Sequence, residues 1–146
     1  MHPISPRVLH FCGKKATIII ICKPQWPGAE REKPMQPVFI INPTAGKLDA
    51  SVALIPQIHA AASRAGVKPI VEITRRPGHA CDLAAKYAAS GEEVALYACG
   101  GDGTFNECIS GAVGCENVAV APFPTGTGND FCRSMKLPQD PMKALE

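Results

Sequence analysis

From Met35 onward the chain alternates between two spacings of its apolar residues. Pro37 to Asn42 is a short apolar run closed by Asn-Pro, the mark of a buried strand. Within Gln57–Ala65, residues Ile58, Ala61, Ala62 and Ala65 recur at helical spacing, with Pro56 placed in the first turn and Gly66 at the end. A second strand is predicted over Val67–Thr74, and a second helix over His79–Ala89 with Leu83 and Tyr87 on one face. Glu93–Cys99 reads as a third strand, Thr104–Ala112 as a third helix and Val118–Phe123 as a fourth strand, after which a short helix leads into Met135. Strands and helices in alternation imply crossover connections, hence an α/β fold whose mostly parallel sheet is flanked by helices. In such sheets ligands gather beyond the carboxyl ends of the strands. Every unusual run of this sequence falls at one of those ends.

Composition leaves this picture standing. At 146 residues the chain suits one domain, and 46% hydrophobic against 19% charged residues is an ordinary globular balance. Aromatics are 5%, so Ala, Val, Ile and Leu must make most of the core. The net charge of +2 is uneven: residues 1–34 hold six Lys/Arg and two Glu, the remainder nine Lys/Arg and eleven Asp/Glu. A slightly acidic body without a basic stripe argues against nucleic acid as a partner. Seven cysteines without a C-x-x-C pair read as reduced, buried thiols of a cytoplasmic protein. Residues 1–34 are proline-rich, and their one apolar run, Ala16–Cys22, is too short to span a bilayer and lacks a cleavage site after it. They are expected to be a disordered or non-native extension to a domain over residues 35–146.

The strand ends carry the chemistry. After the third strand stands Gly100-Gly101-Asp102-Gly103-Thr104-Phe105-Asn106-Glu107. Three glycines in four positions allow close approach of backbone amides to an anion, and positive φ where needed. The helix that follows aims its N-terminus at the same place, which favours phosphate. Asp102 sits where a carboxylate takes a proton or stands near a metal. Thr104 and Glu107 also have the spacing of a capping box, which accounts for those two residues but not for three glycines around an aspartate. After the fourth strand comes Pro124-Thr125-Gly126-Thr127-Gly128-Asn129-Asp130-Phe131, a second run of glycines and hydroxyls that reads either as a turn capped by Thr127 or as another wall of the site. Asn42-Pro43-Thr44-Ala45-Gly46-Lys47 contains Gly-Lys but lacks the earlier glycine and the following Ser/Thr of a P-loop, and Lys47 reads more readily as a solvated lysine. Arg75 and Arg76 likewise read as a solvated charge pair before they read as phosphate ligands.

Together, GGDGTFNE, PTGTGNDF, NPTAGK and TRRPGHA (Thr74–Ala80) resemble the catalytic domain of the diacylglycerol-kinase family, over about Val38 to Leu137. The family includes bacterial lipid kinases and sphingosine and ceramide kinases. The resemblance implies a Rossmann-like domain, similar to the N-terminal domains of NAD kinase and diacylglycerol kinase. It also implies transfer of the ATP γ-phosphoryl group to a lipid hydroxyl with Mg²⁺. The nucleotide would meet Asn42, Thr74, Gly100, Gly101, Asp102, Gly103, Thr104, Asn106, Glu107, Thr125, Gly126, Thr127, Asn129 and Asp130. Asp102 would act on the acceptor or help place the metal, and no protein metal ligand beyond it is assigned. Members of the family resemble two-domain proteins, so a β-rich second domain, in the same or another chain, is expected to supply metal ligands and the lipid-facing cleft. The present chain is then expected to be the ATP-binding half, with little or no kinase activity alone, meeting its lipid at a membrane surface by peripheral contact. An NAD-kinase-like enzyme and a non-catalytic nucleotide-binding module are the alternatives.

Overall fold

A computed structural model of the chain describes residues 7–10, 17–20, 35–45, 49–125, 129–134 and 136. Two short strands, β1 (Arg7–His10) and β2 (Thr17–Ile20), pair antiparallel; the rest of the expected extension lies outside the described residues. The body runs β3 (Gln36–Ile41), α1 (Ala50–Ala65), β4 (Ile70–Ile73), α2 (His79–Ala89), β5 (Val94–Gly100), α3 (Asp102–Ala112), β6 (Val118–Pro124) and α4 (Asp130–Ser134). Its four strands form one all-parallel sheet in the order β4-β3-β5-β6. The expected α/β fold is therefore observed.

Side chains of successive strand residues leave opposite faces of the sheet, and this divides the core in two. Val38, Ile40, Leu96, Ala98, Val118 and Val120 pack against α2 and α3 through Ala80, Leu83, Ala84, Phe105 and Cys108. Phe39, Ile41, Tyr97, Ala121 and Phe123 pack against α1 through Leu54, Ile58 and Ala61. The rings of Phe39 and Tyr97 stack there with centroids 4.6 Å apart. Burial on both faces is why β3 and β5 read as unbroken apolar runs rather than alternating ones.

Several boundaries differ from expectation. Helix α1 starts at Ala50, where Asp49 accepts a hydrogen bond from the Ser51 amide, so Pro56 lies inside it and not in its first turn. Pro56 is exposed, so the intrahelical bond it cannot make is lost on the solvent side. At the other end Gly66 has φ 69° and closes the helix, as expected. The Val67 amide donates to Ala62 O at 3.0 Å, so it still serves the helix end and β4 starts only at Ile70. Helix α3 starts at Asp102, two residues before Thr104, with Gly101 as its N-cap.

Outside the core, Tyr87 Oη donates to Glu72 Oε1 at 2.6 Å and Lys86 Nζ lies 3.3 Å from the same oxygen. The Tyr87 hydrogen bond first, and the Lys86 bond and charge after it, outweigh partial burial and hold the Glu72 carboxyl below its ordinary value of 4.5. A depressed native value means the contribution is complete above about pH 4.5 and fades as pH falls through the native value. Tyr87→Phe is expected to lower the urea-unfolding free energy by about 1 kcal/mol at pH 7, with the difference shrinking toward pH 3. A difference that stays constant across that range would show that Glu72 is not the partner that matters.

Candidate functional site

Because the four strands are parallel, the junctions that follow them lie at one end of the sheet. The chain leaves β3 for α1 on one face and β5 for α3 on the other, so a crevice opens between these neighbouring strands, the usual ligand position in such sheets. Asn42 and Thr104 meet there. The Asn42 amide donates to Cys99 O at 2.9 Å, and Asn42 Nδ2 donates to Thr104 Oγ1 at 3.3 Å. Asn42 Oδ1 in turn accepts from the Thr44 amide and hydroxyl, which shapes the first loop.

The other junctions are tied to the same point. The amide of Thr74, a buried residue, donates to Ile41 O at 2.9 Å, and the Thr125 amide donates to Gly100 O at 3.2 Å. Gly78, at φ 79°, donates its amide to Glu107 Oε1 at 3.0 Å, joining the loop after β4 to the second turn of α3. Asp102 accepts from the amides of Asp130 and Phe131 and joins α3 to α4. The capping-box reading of Thr104 and Glu107 is thereby corrected. Both side chains bond to other loops, and α3 has no side-chain cap.

The glycines serve differently from expectation too. Neither Gly100, Gly101 nor Gly103 has positive φ. A Cβ on Gly100 would lie 2.3 Å from Thr104 Oγ1 and 2.7 Å from Thr104 Cβ, so a bare Cα is what lets the first turn of α3 fold back on the end of β5. A Cβ on Gly103 would meet nothing within 4 Å, so the protein itself makes no demand for glycine there, and the space beside it is open. The amides of the first helical turn have no intrahelical partners. Thr125 Oγ1 is buried without a hydrogen-bond partner among the described residues. Amides of this kind at a helix N-terminus suit an anion bearing several acceptor oxygens.

Of the other expected site residues, Asn129 is buried with φ 52°, a conformation Asn tolerates. Asn106 is exposed, and Asp130 pairs its carboxylate with Arg133 at 3.1 Å. Lys47, Gly126 and Thr127 lie outside the described residues. Arg76 forms an exposed ion pair with Asp82, in keeping with a surface charge pair, and the Arg75 amide donates to His79 Nδ1 at 3.1 Å. Cys99, Cys108 and Cys132 are buried as expected, whereas Cys81 and Cys115 are half-buried. Burial pushes the Cys108 thiol up to about 12 and the Cys132 thiol up to about 11, the latter helped by the Asp102 charge, so both remain protonated packing groups. Sequence reasoning passed over Gly111. A Cβ there would lie 2.2 Å from Cys81 O, and a glycine inside the last turn of a helix is the one signal the sequence offers.

Fold and site together define a parallel α/β domain whose strand-end loops meet at its switch point. Residues 36–146 match the model of the diacylglycerol kinase catalytic domain, and the chain belongs to that family. It is 36% identical over 109 residues to a diacylglycerol kinase of Staphylococcus saprophyticus, covering 74% of this chain and 35% of the relative. To a diacylglycerol kinase of Bacillus subtilis it is 35% identical over 110 residues, covering 74% and 36%. A crystal structure of a putative diacylglycerol kinase from Bacillus anthracis superposes with a TM-score of 0.60 at 30% identity, over 75% of this chain and 40% of that one. The matched stretch thus spans little more than a third of the length of these curated relatives.

Proposed function

We propose that residues 36–146 form the ATP-binding half of a lipid kinase that transfers the γ-phosphoryl group of ATP to a hydroxyl of diacylglycerol or a related lipid. The observation that carries this reading is the convergence of the four strand-end loops on the first two turns of α3 and the end of β5. ATP supplies the phosphoryl group. The residues of this chain position it and balance its charge, which is most of what phosphoryl transfer asks of a protein. The amides from Gly101 to Thr104 and the Thr125 hydroxyl would face phosphate, and Asn42, Thr74, Gly100, Asn106 and Glu107 would shape the cleft. Gly126, Thr127, Asn129 and Asp130 would complete its second wall.

Magnesium would arrive with the nucleotide. Among the described residues no group of three or more His, Cys, Asp and Glu side chains is placed to hold a metal ion. The lipid would be met at the cytoplasmic surface of a membrane by peripheral contact. No helix among the described residues is long and apolar enough to cross one. Acceptor selection, in this reading, belongs to a further domain in the same or another chain, and residues 36–146 alone would bind nucleotide with little or no turnover.

A ligand that binds the native state raises its melting temperature. Thermal-shift titrations with ATP, ADP and NAD, with and without Mg²⁺, are expected to show stabilisation by the adenine nucleotides, worth about 2.7 kcal/mol at a hundred times Kd. Stabilisation by NAD but not ATP would replace the lipid-kinase reading with an NAD-kinase-like one. No shift with any nucleotide would remove the half-site altogether.

A further inference from the structure

Asp102 opens α3, yet its carboxylate bonds outside that helix. Oδ2 accepts the Asp130 amide at 2.7 Å and Oδ1 accepts the Phe131 amide at 3.1 Å. These are consecutive donors in the first turn of α4, amides that no intrahelical carbonyl reaches. One side chain therefore caps a helix that begins 28 residues further along the chain. Helix α4 has five residues and cannot hold itself together by propensity. It is kept in place by this cap, by the Phe131 ring against Phe105 at 4.8 Å and by buried Cys132. Thr125 and Asn129, at the two ends of the junction between β6 and α4, are positioned from one side by Gly100 O and from the other by Asp102.

We propose that Asp102 is a positioning residue: its carboxylate clasps the start of α4 to the start of α3 and sets the separation of the two loops that would face the phosphates. Each carboxylate oxygen accepts one of the two amides, so the pair of bonds fixes the orientation of the carboxylate together with the spacing of the loops. The effect on nucleotide binding rests on the ATP-site reading above, whereas the clasp itself does not.

Two measurements on the full chain separate the two. Amide exchange of Asp130 and Phe131 is followed by NMR in the wild type, Asp102→Asn and Asp102→Ala, and ATP affinity is measured for the same three proteins. Asn keeps one acceptor oxygen and turns an NH₂ toward the other amide, so one amide is expected to exchange faster and ATP to bind about fivefold more weakly. Ala removes both acceptors, and both amides are expected to exchange faster with a larger loss of affinity. Unchanged exchange of both amides in the two variants would overturn the clasp. Altered exchange with wild-type ATP affinity would overturn its positioning role. If the wild type binds no ATP, the kinase reading fails and the amides alone decide the clasp.

Discussion

Gly100→Ala is expected to weaken ATP binding at least tenfold, about 1.4 kcal/mol, and to destabilise the fold as well. The added Cβ would lie 2.3 Å from Thr104 Oγ1 and 2.7 Å from Thr104 Cβ. Thr104 cannot retreat freely, because it is buried and its hydroxyl accepts from Asn42 Nδ2. The first turn of α3 must therefore move away from the end of β5, and the amides that would face phosphate move with it. Overpacking of this kind costs about 1–3 kcal/mol in stability. Isothermal titration with ATP and urea unfolding read the two effects separately. If the clash with Thr104 is the cause, Thr104→Ala added to Gly100→Ala will give less than the sum of the single losses. Additive losses would place the cause elsewhere, and a Gly100→Ala protein with wild-type affinity and stability would refute the packing account.

Gly111→Val is expected to be the most damaging change to the fold away from the site. Helices α2 and α3 approach so closely that a Cβ on Gly111 would sit 2.2 Å from Cys81 O, 2.8 Å from Ala84 Cβ and 3.0 Å from the Ala85 amide nitrogen. The obstacle is backbone, which cannot turn aside like a long side chain. Elsewhere in a helix, replacing Gly by Ala gains about 1 kcal/mol. Here even Gly111→Ala is expected to lose stability, and Gly111→Val to lose about 3 kcal/mol or more, a fall in melting temperature of about 10 °C. A neutral or stabilising Gly111→Ala would show that the two helices separate easily and that their contact matters little.

The two glycines differ in how visible they are along the chain. Gly100 belongs to a run whose composition announces a special loop, but what it accommodates, the Thr104 side chain, emerges only when the helix folds back. Gly111 has no local signature beyond a glycine in a helix, because the atom that excludes a side chain there belongs to Cys81. Asp102 is similar: a conspicuous residue whose partners, the amides of Asp130 and Phe131, belong to another loop. Along the chain Pro56 suits a first helical turn, where its missing N–H is harmless. It is tolerated in mid-helix because it faces solvent, a fact of orientation and not of order along the chain.

By itself the sequence determined the alternation of buried parallel strands with amphipathic helices, and with it the α/β class and the gathering of four glycine- and hydroxyl-bearing loops at one end of the sheet. Those features follow from residue type at short range: apolar runs long enough for a strand, helical spacing, and glycines at junctions. The tertiary structure decided which loops touch. Thr104 bonds Asn42 and not its own helix, Glu107 receives the Gly78 amide, and Asp102 holds the start of α4. A Thr, Glu or Asp at a helix start has an acceptor that either its own helix or a neighbouring loop can use. The choice falls to whichever donor the packed sheet brings within about 3 Å, and that distance exists only once residues far apart in the chain have been folded together.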